Sequence, residues 1–187
     1  MRTPSPARQR LLDTATRLFY AEGIRAVGVD RIVTEADVTR ATFYRHFPGK
    51  DELVRAYIQA WDGRIRAEAA AKMPGLTAVQ AVELLVVRLG EEMCGATYRG
   101  CPFINAAAEY PDPEHPVSRA ITEHRAWLRA LFLGLFEAEG LAEPERLAAT
   151  LMLLRDGAMV GAGLRDPAAV AAELSAAVAQ LLGDGKR

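Results

Sequence analysis

Apolar residues recur at helical spacing along nearly the whole chain. Leu11, Ala15 and Leu18 share one face with Leu12 and Phe19 beside it, which predicts a first helix from about Ala7 to Ala21 with Gly23 as its stop. A second, short helix follows over 29–36 with Ile32 and Val33 turned inward, and a third begins near Thr39, whose hydroxyl can cap it, and ends before Pro48. Asp37-Val38 makes the corner between them, where Asp tolerates left-handed backbone better than most residues. From Lys50 a longer helix runs toward Ala71 and Pro74-Gly75 ends it; Thr77 caps a fifth through about Met93. Gly95–Gly100 reads as a loop and Cys101–Ala108 as a short helix. Prolines 111, 113 and 116 exclude a helix across that connector, and three long helices follow over 116–139, 144–164 and 167–182, each opened by a proline. No segment sustains the alternation of a strand, so the predicted fold class is all-α.

Half of the 187 residues are apolar, enough for a real core. No apolar run reaches the ~18 residues of a membrane span, and the basic opening Met1–Arg8 leads into an amphipathic stretch containing Arg17 rather than a signal peptide, so a cytoplasmic protein with no membrane partner is expected. Cys94 and Cys101 are too few for a disulfide framework or a four-ligand zinc site, and His46, His115 and His124 have no spacing that suits a metal or a nucleophile–base set; neither an enzyme nor a cofactor is expected. The net charge of −1 conceals two opposite halves. Residues 1–50 hold nine Lys or Arg against five Asp or Glu, whereas 51–187 hold fourteen against nineteen. A basic head on an acidic body is what a chain needs when one end approaches phosphates. The expected organisation is a DNA-binding domain over 1–49 and an effector-binding, dimerising domain over 50–187.

Three short helices within about 45 residues, the third reached through a tight corner, describe a helix-turn-helix module. The stretch Leu11–Phe19, then Gly23, then Val29–Val33, then Val38-Thr39-Arg40-Ala41-Thr42-Phe43-Tyr44-Arg45-His46-Phe47-Pro48-Gly49-Lys50-Asp51-Glu52-Leu53 resembles the N-terminal domain of the TetR/AcrR family of regulators, over roughly residues 8–55. On the third helix Val38, Phe43 and Phe47 can pack beneath the domain while Thr39, Arg40, Thr42, Tyr44 and His46 reach outward. Arg40 suits a base edge, because a guanidinium can bind guanine O6 and N7 together. Thr42, Tyr44 and His46 suit phosphates, Thr42 and Tyr44 also a thymine methyl, the lesser alternative for Tyr44 being a core residue with an exposed hydroxyl. Lys50 opens the fourth helix, where its ammonium and the unpaired backbone N–H groups favour a phosphate. The resemblance implies these same roles. Asp37 and Ala41 stand where the family often has glycine, and Gly28 replaces the usual hydroxyl cap of the second helix.

In the C-terminal half, Val117, Ile121, His124, Leu128, Leu131 and Leu135 share a face of the helix over 116–139, flanked by Trp127 and Phe132. Over 144–164, Leu147, Leu151, Leu154 and Ala158 face one way and Leu153, Val160 and Leu164 the other, so that helix must be covered on both sides. The last helix carries Val170, Leu174, Ala177, Val178 and Leu181 in a stripe among many alanines. These patterns, and the resemblance, imply a homodimer formed through the last two helices of each subunit. Candidate effector-binding residues are Trp61, Arg88, Phe103, Asn105, Tyr110, His124, Trp127, Met152 and Arg155. His124 interrupts an apolar stripe and reads either as a ligand-orienting group or as a core histidine; Arg155-Asp156 reads either as a ligand anchor or as an internal ion pair. The function expected is a regulator, a repressor released from a palindromic operator on double-stranded DNA by a small-molecule effector. The alternative is a thiol- or redox-responsive regulator acting through Cys101, which lies at a helix start.

Overall fold

The structure is a computed structural model that describes residues 5–185; Met1–Pro4 of the basic opening run, and Lys186 and Arg187, lie outside the described residues. Within them the regular structure is nine α-helices and no strand: α1 (Pro6–Glu22), α2 (Val29–Glu35), α3 (Arg40–His46), α4 (Lys50–Lys72), α5 (Ala78–Met93), α6 (Pro102–Glu109), α7 (Pro116–Ala138), α8 (Pro144–Gly161) and α9 (Pro167–Asp184).

Local chemistry sets the helix ends. Ser5 accepts the Arg8 amide at the start of α1, and Gly23, at φ 92°, stops it with a backbone bond back to Phe19. Thr77 and Gln80 cap α5 reciprocally, each side chain accepting the other's backbone N–H. Asp166 caps α9, and prolines open α7, α8 and α9. The sequence places the end of α8 near Leu164, yet the helix stops at Gly161. There Gly163 and Leu164 donate to the carbonyls of Val160 and Gly161, a tighter turn that the poor helix formers Gly161 and Gly163 allow.

The chain forms two compact units: residues up to Arg66 together with Pro102–Thr122, and Ala67–Cys101 together with the chain from Glu123 onward. The first is built on α1, α2, α3 and the first turns of α4, around Leu11, Leu18, Phe19, Ile32, Phe43, Phe47, Leu53 and Tyr57, all buried. Phe19 meets Tyr57 edge-on at 5.7 Å, and Phe43 lies 6.1 Å from Phe47.

In the second unit α9 packs against both α5 and α8. A Cβ at Gly90 of α5 would lie 3.4 Å from that of Ala171, so these two helices approach as closely as small residues permit. Leu147, Leu151, Met152, Ala158 and Met159 of α8 and Val170, Leu174, Val178 and Leu181 of α9 fill this core. On α7 the buried face runs through His124, Leu128, Phe132 and Phe136, while Leu131 and Leu135 are only half-buried. The stripe is therefore rotated toward the phenylalanines from the leucine register of the sequence, because the larger rings remove more apolar surface from water.

Candidate nucleic-acid interface

The outward surface of the first unit is made at α3. Its N-cap, Thr39, has extended backbone and accepts the Thr42 amide at 3.1 Å, while the two threonine hydroxyls lie 3.0 Å apart. Gly28 gives α2 no comparable side-chain cap. Asp37 takes up the left-handed conformation expected at the corner, with φ 51°. Arg10, from α1, fixes that corner by donating to the carbonyls of Ala36 and Asp37 at 3.1 and 3.3 Å.

Burial divides α3 cleanly. Phe43 and Phe47 are in the core, whereas Thr39, Arg40, Tyr44 and Arg45 are exposed and Thr42 and His46 are half-buried. Tyr44 is 55% exposed although its ring meets Phe43 edge-on at 5.1 Å, so its inner side packs and its outer side faces solvent. His46 Nε2 lies 3.2 Å from the Ser5 hydroxyl, which ties the end of α3 to the start of α1. Arg40 reaches back across the corner to the Asp30 carboxylate of α2. Lys50, at the first position of α4, is half-buried with its ammonium 5.9 Å above the Phe19 ring. Burial lowers its pKa, partly opposed by the nearby Glu109 and Asp51 carboxylates.

Two features go beyond the sequence reading, and of their contacts only the i,i+4 pair of Arg31 with Glu35 follows a helical period. On the outside of α1 and α2, Arg31 grips Glu22 with both terminal nitrogens at 2.5 and 2.8 Å and Glu35 at 2.8 Å, and Arg17 pairs with Glu35 as well. This network brackets the two helices that carry α3. The other is a strap from α6. Glu109 accepts the backbone amides of Ile24 and Arg25 at 2.8 and 2.6 Å, in the α1–α2 loop, and Arg25 returns a bond to the Glu109 carbonyl. Next to it Tyr110 donates to Asp51 at 2.8 Å, His115 Nε2 lies 3.5 Å from the same carboxylate, and the Tyr110 and His115 rings stack at 4.7 Å. An open cleft of about 410 Å³ lies among these groups, Lys50 and Arg25. Carboxylates 85 and 59 residues distant from their partners follow no local period, so nothing in the sequence marks them.

The residues proposed for an effector divide between the two units. In the first, Phe103 is buried, Asn105 is exposed, Tyr110 belongs to the strap, and Trp61 packs between the Tyr20 ring and the Arg64 guanidinium, 3.7 Å above its own ring. In the second, Arg88 is exposed and pairs with Glu68 at 2.9 Å, Met152 is core, and His124 is 2% exposed with its ring 5.9 Å from Trp127. Arg155, 5% exposed, donates to Asp156 at 2.7 Å, and Arg125 reaches the same carboxylate at 2.5 Å. The internal ion pair is thus formed, and Asp156 raises the Arg125 pKa by hydrogen bonding. Cys101 is 2% exposed with its sulfur 3.8 Å from Arg155 Nη2.

A capped recognition-type helix offering a guanidinium, a phenol and hydroxyls, held on two braced helices, defines the class as a helix-turn-helix DNA-binding module. Residues 11–57 match the family described as bacterial regulatory proteins, tetR family. Over its whole length the chain is similar to a TetR-family transcriptional regulator from Streptomyces coelicolor, at 44% identity across 97% of each chain with a TM-score of 0.92. It is 30% identical to the transcriptional repressor KstR2 of Rhodococcus jostii, over 73% of this chain and 71% of that protein. It is 27% identical to the regulator LmrA of Bacillus subtilis over 65% of this chain, a match that spans just under two thirds, 66%, of LmrA. The chain belongs to the TetR family of bacterial regulatory proteins, and that membership makes it a regulator rather than an enzyme.

Proposed function

We propose that the protein is a repressor that binds a palindromic operator as a homodimer, one α3 per half-site, and lets go when a small molecule binds its C-terminal helices. The observation that carries this reading is the division of α3 into a buried phenylalanine face and an exposed face bearing Thr39, Arg40 and Tyr44, with Thr42 and His46 at its margins. In this reading Arg40 reads a base; Thr39, Thr42, Tyr44, His46 and Lys50 fix the helix on the phosphates. A three-helix head reads few bases, so two heads about 34–36 Å apart are needed for an operator.

Homodimer formation is supported by what α8 and α9 leave uncovered. On α8 Leu153 is 72% exposed with Val160 two turns on along the same face, Leu164 in the following turn is 80% exposed, and α9 turns Ala169, Ala172, Ala176 and Ala179 to solvent. Apolar side chains beside a stripe of small ones suit a second copy related by a two-fold axis. The strap supports coupling: any displacement of α6 acts on the α1–α2 loop through Glu109 and on the start of α4 through Tyr110 and His115. In the second unit we assign the effector to His124 and Trp127, since the Arg155 guanidinium is already engaged by Asp156. The thiol-responsive alternative draws no support from a cysteine as deeply buried as Cys101.

The test separates reading from anchoring. Arg40→Ala relaxes preference at one base position per half-site, at about 1–3 kcal/mol of discrimination, whereas Lys50→Ala weakens binding to every sequence alike and reduces the salt slope by about one per subunit. Equal losses on all sequences for both variants refute the assignment.

A further inference from the structure

We propose that Asp30 is a specificity-determining positioning residue, which holds the Arg40 guanidinium edge-on so that its outer edge is presented to one guanine; this rests on the assignment of Arg40 as the base reader. The pairing is one-sided. Asp30 Oδ1 accepts from Arg40 Nε at 2.5 Å and lies against Nη2 as well, so the carboxylate takes the inner edge of the fork. The edge between Nη1 and Nη2 is not used by it, and this pair of parallel donors is what guanine O6 and N7 accept.

Position explains why this acid differs from its neighbours. Glu22 and Glu35 are occupied by Arg31 and Arg17, in two contacts that link α1 to α2 and one within α2. Asp30 instead spans from the first turn of α2 to the first residue of α3, across the corner at Asp37, and pairs with the side chain that the helix presents outward. An arginine confined to one rotamer before binding loses less conformational freedom on meeting its base. The carboxylate also works against wrong sequences. Near a duplex, an acid repels phosphates whatever the sequence, and only the guanine contact made by the oriented fork offsets that cost, so binding is penalised wherever no guanine meets it. As an exposed ion pair it adds little to folding, so it can be removed without loss of the domain.

The experiment uses the full-length protein and two duplexes: one selected by the wild type from a randomised pool, and a shuffled duplex of the same length. Asp30→Ala, the near-isosteric Asp30→Asn, Arg40→Ala and the double variant are compared by titration on both, and base preferences are re-selected for each. Asp30→Ala and Asp30→Asn are expected to bind the selected duplex more weakly and the shuffled one more tightly. Their discrimination should fall about tenfold, concentrated at the position that Arg40→Ala also relaxes, and the double variant should relax it no further. A structural role would lower binding to both duplexes together. The proposal is overturned if the Asp30 variants keep the wild-type preference at that position while Arg40→Ala loses it. If Arg40→Ala itself leaves every preference intact, the base-reading assignment falls, and this inference with it.

Discussion

Glu109 is the point at which α6 is fastened to the DNA-binding head, and removing its carboxylate has a calculable cost. Glu109→Ala deletes the acceptor of two amides, Ile24 N–H at 2.8 Å and Arg25 N–H at 2.6 Å. Bonds to a charged acceptor contribute about 1.5–3 kcal/mol each when shielded. The Ile24 bond is part-buried and the Arg25 bond exposed, so water replaces much of the second, and the net loss is about 2 kcal/mol. For a chain of this size that corresponds to a fall in melting temperature of about 4–8 °C. Glu109→Gln keeps one acceptor oxygen and loses the charge, and should fall between the variant and the wild type. Thermal unfolding followed by circular dichroism, with urea midpoints as a second measure, reads the difference. A Glu109→Ala protein that melts with the wild type would refute the view that these bonds hold the α1–α2 loop.

Two further outcomes follow from the same geometry. Leu153→Asp and Ala176→Glu place carboxylates on the uncovered faces of α8 and α9, and each is expected to convert a dimer to monomer in sedimentation, since burying one leucine contributes about 1.5–3 kcal/mol and symmetry doubles the change; unchanged dimers would put the interface elsewhere. The carboxyl pKa of Glu22 is lowered first by its hydrogen bond to Arg31, and that of Glu35 by its bonds to Arg17 and Arg31. Both groups therefore contribute stability that is present above the ordinary carboxylate range and lost as pH falls through the lowered folded values. Glu22→Gln with Glu35→Gln should flatten that acid limb of the stability profile, and an unaltered limb would show the network to be energetically silent.

The parts of the molecule legible in its sequence are those set by local rules. Helix periodicity, the Thr39 and Thr77 caps, the left-handed Asp37 and the prolines opening α7 to α9 each depend on residues within a turn or two, and each lies where the spacing puts it. The core and surface faces of α3 follow from the same period. Long-range partners do not. The acceptance of two backbone amides by Glu109, the contact of Tyr110 with Asp51 and the pairing of Asp30 with Arg40 depend on how helices meet in space, and a carboxylate on a helix reads in sequence as a solvated charge. Tyr110 illustrates the point: the sequence marks it as an aromatic near a short helix, but not that its hydroxyl lies on an acid at the start of α4. Burial, and after it the Asp51 hydrogen bond, pushes its pKa above the ordinary phenol value. On α9 the stripe through Val170, Leu174 and Val178 is turned into the subunit, and the alanines between carry the exposed face.

If two copies of this chain read a two-fold symmetric DNA site through α3, selection from a randomised duplex pool, with the mass of the recovered complex measured as well, has a defined outcome. The expected product is an enriched palindrome whose half-sites lie about one helical turn or a multiple of it apart, bound by an even number of chains, one per half-site. Recovery of no preferred sequence, or of a single unrepeated site bound by one chain, would contradict that reading.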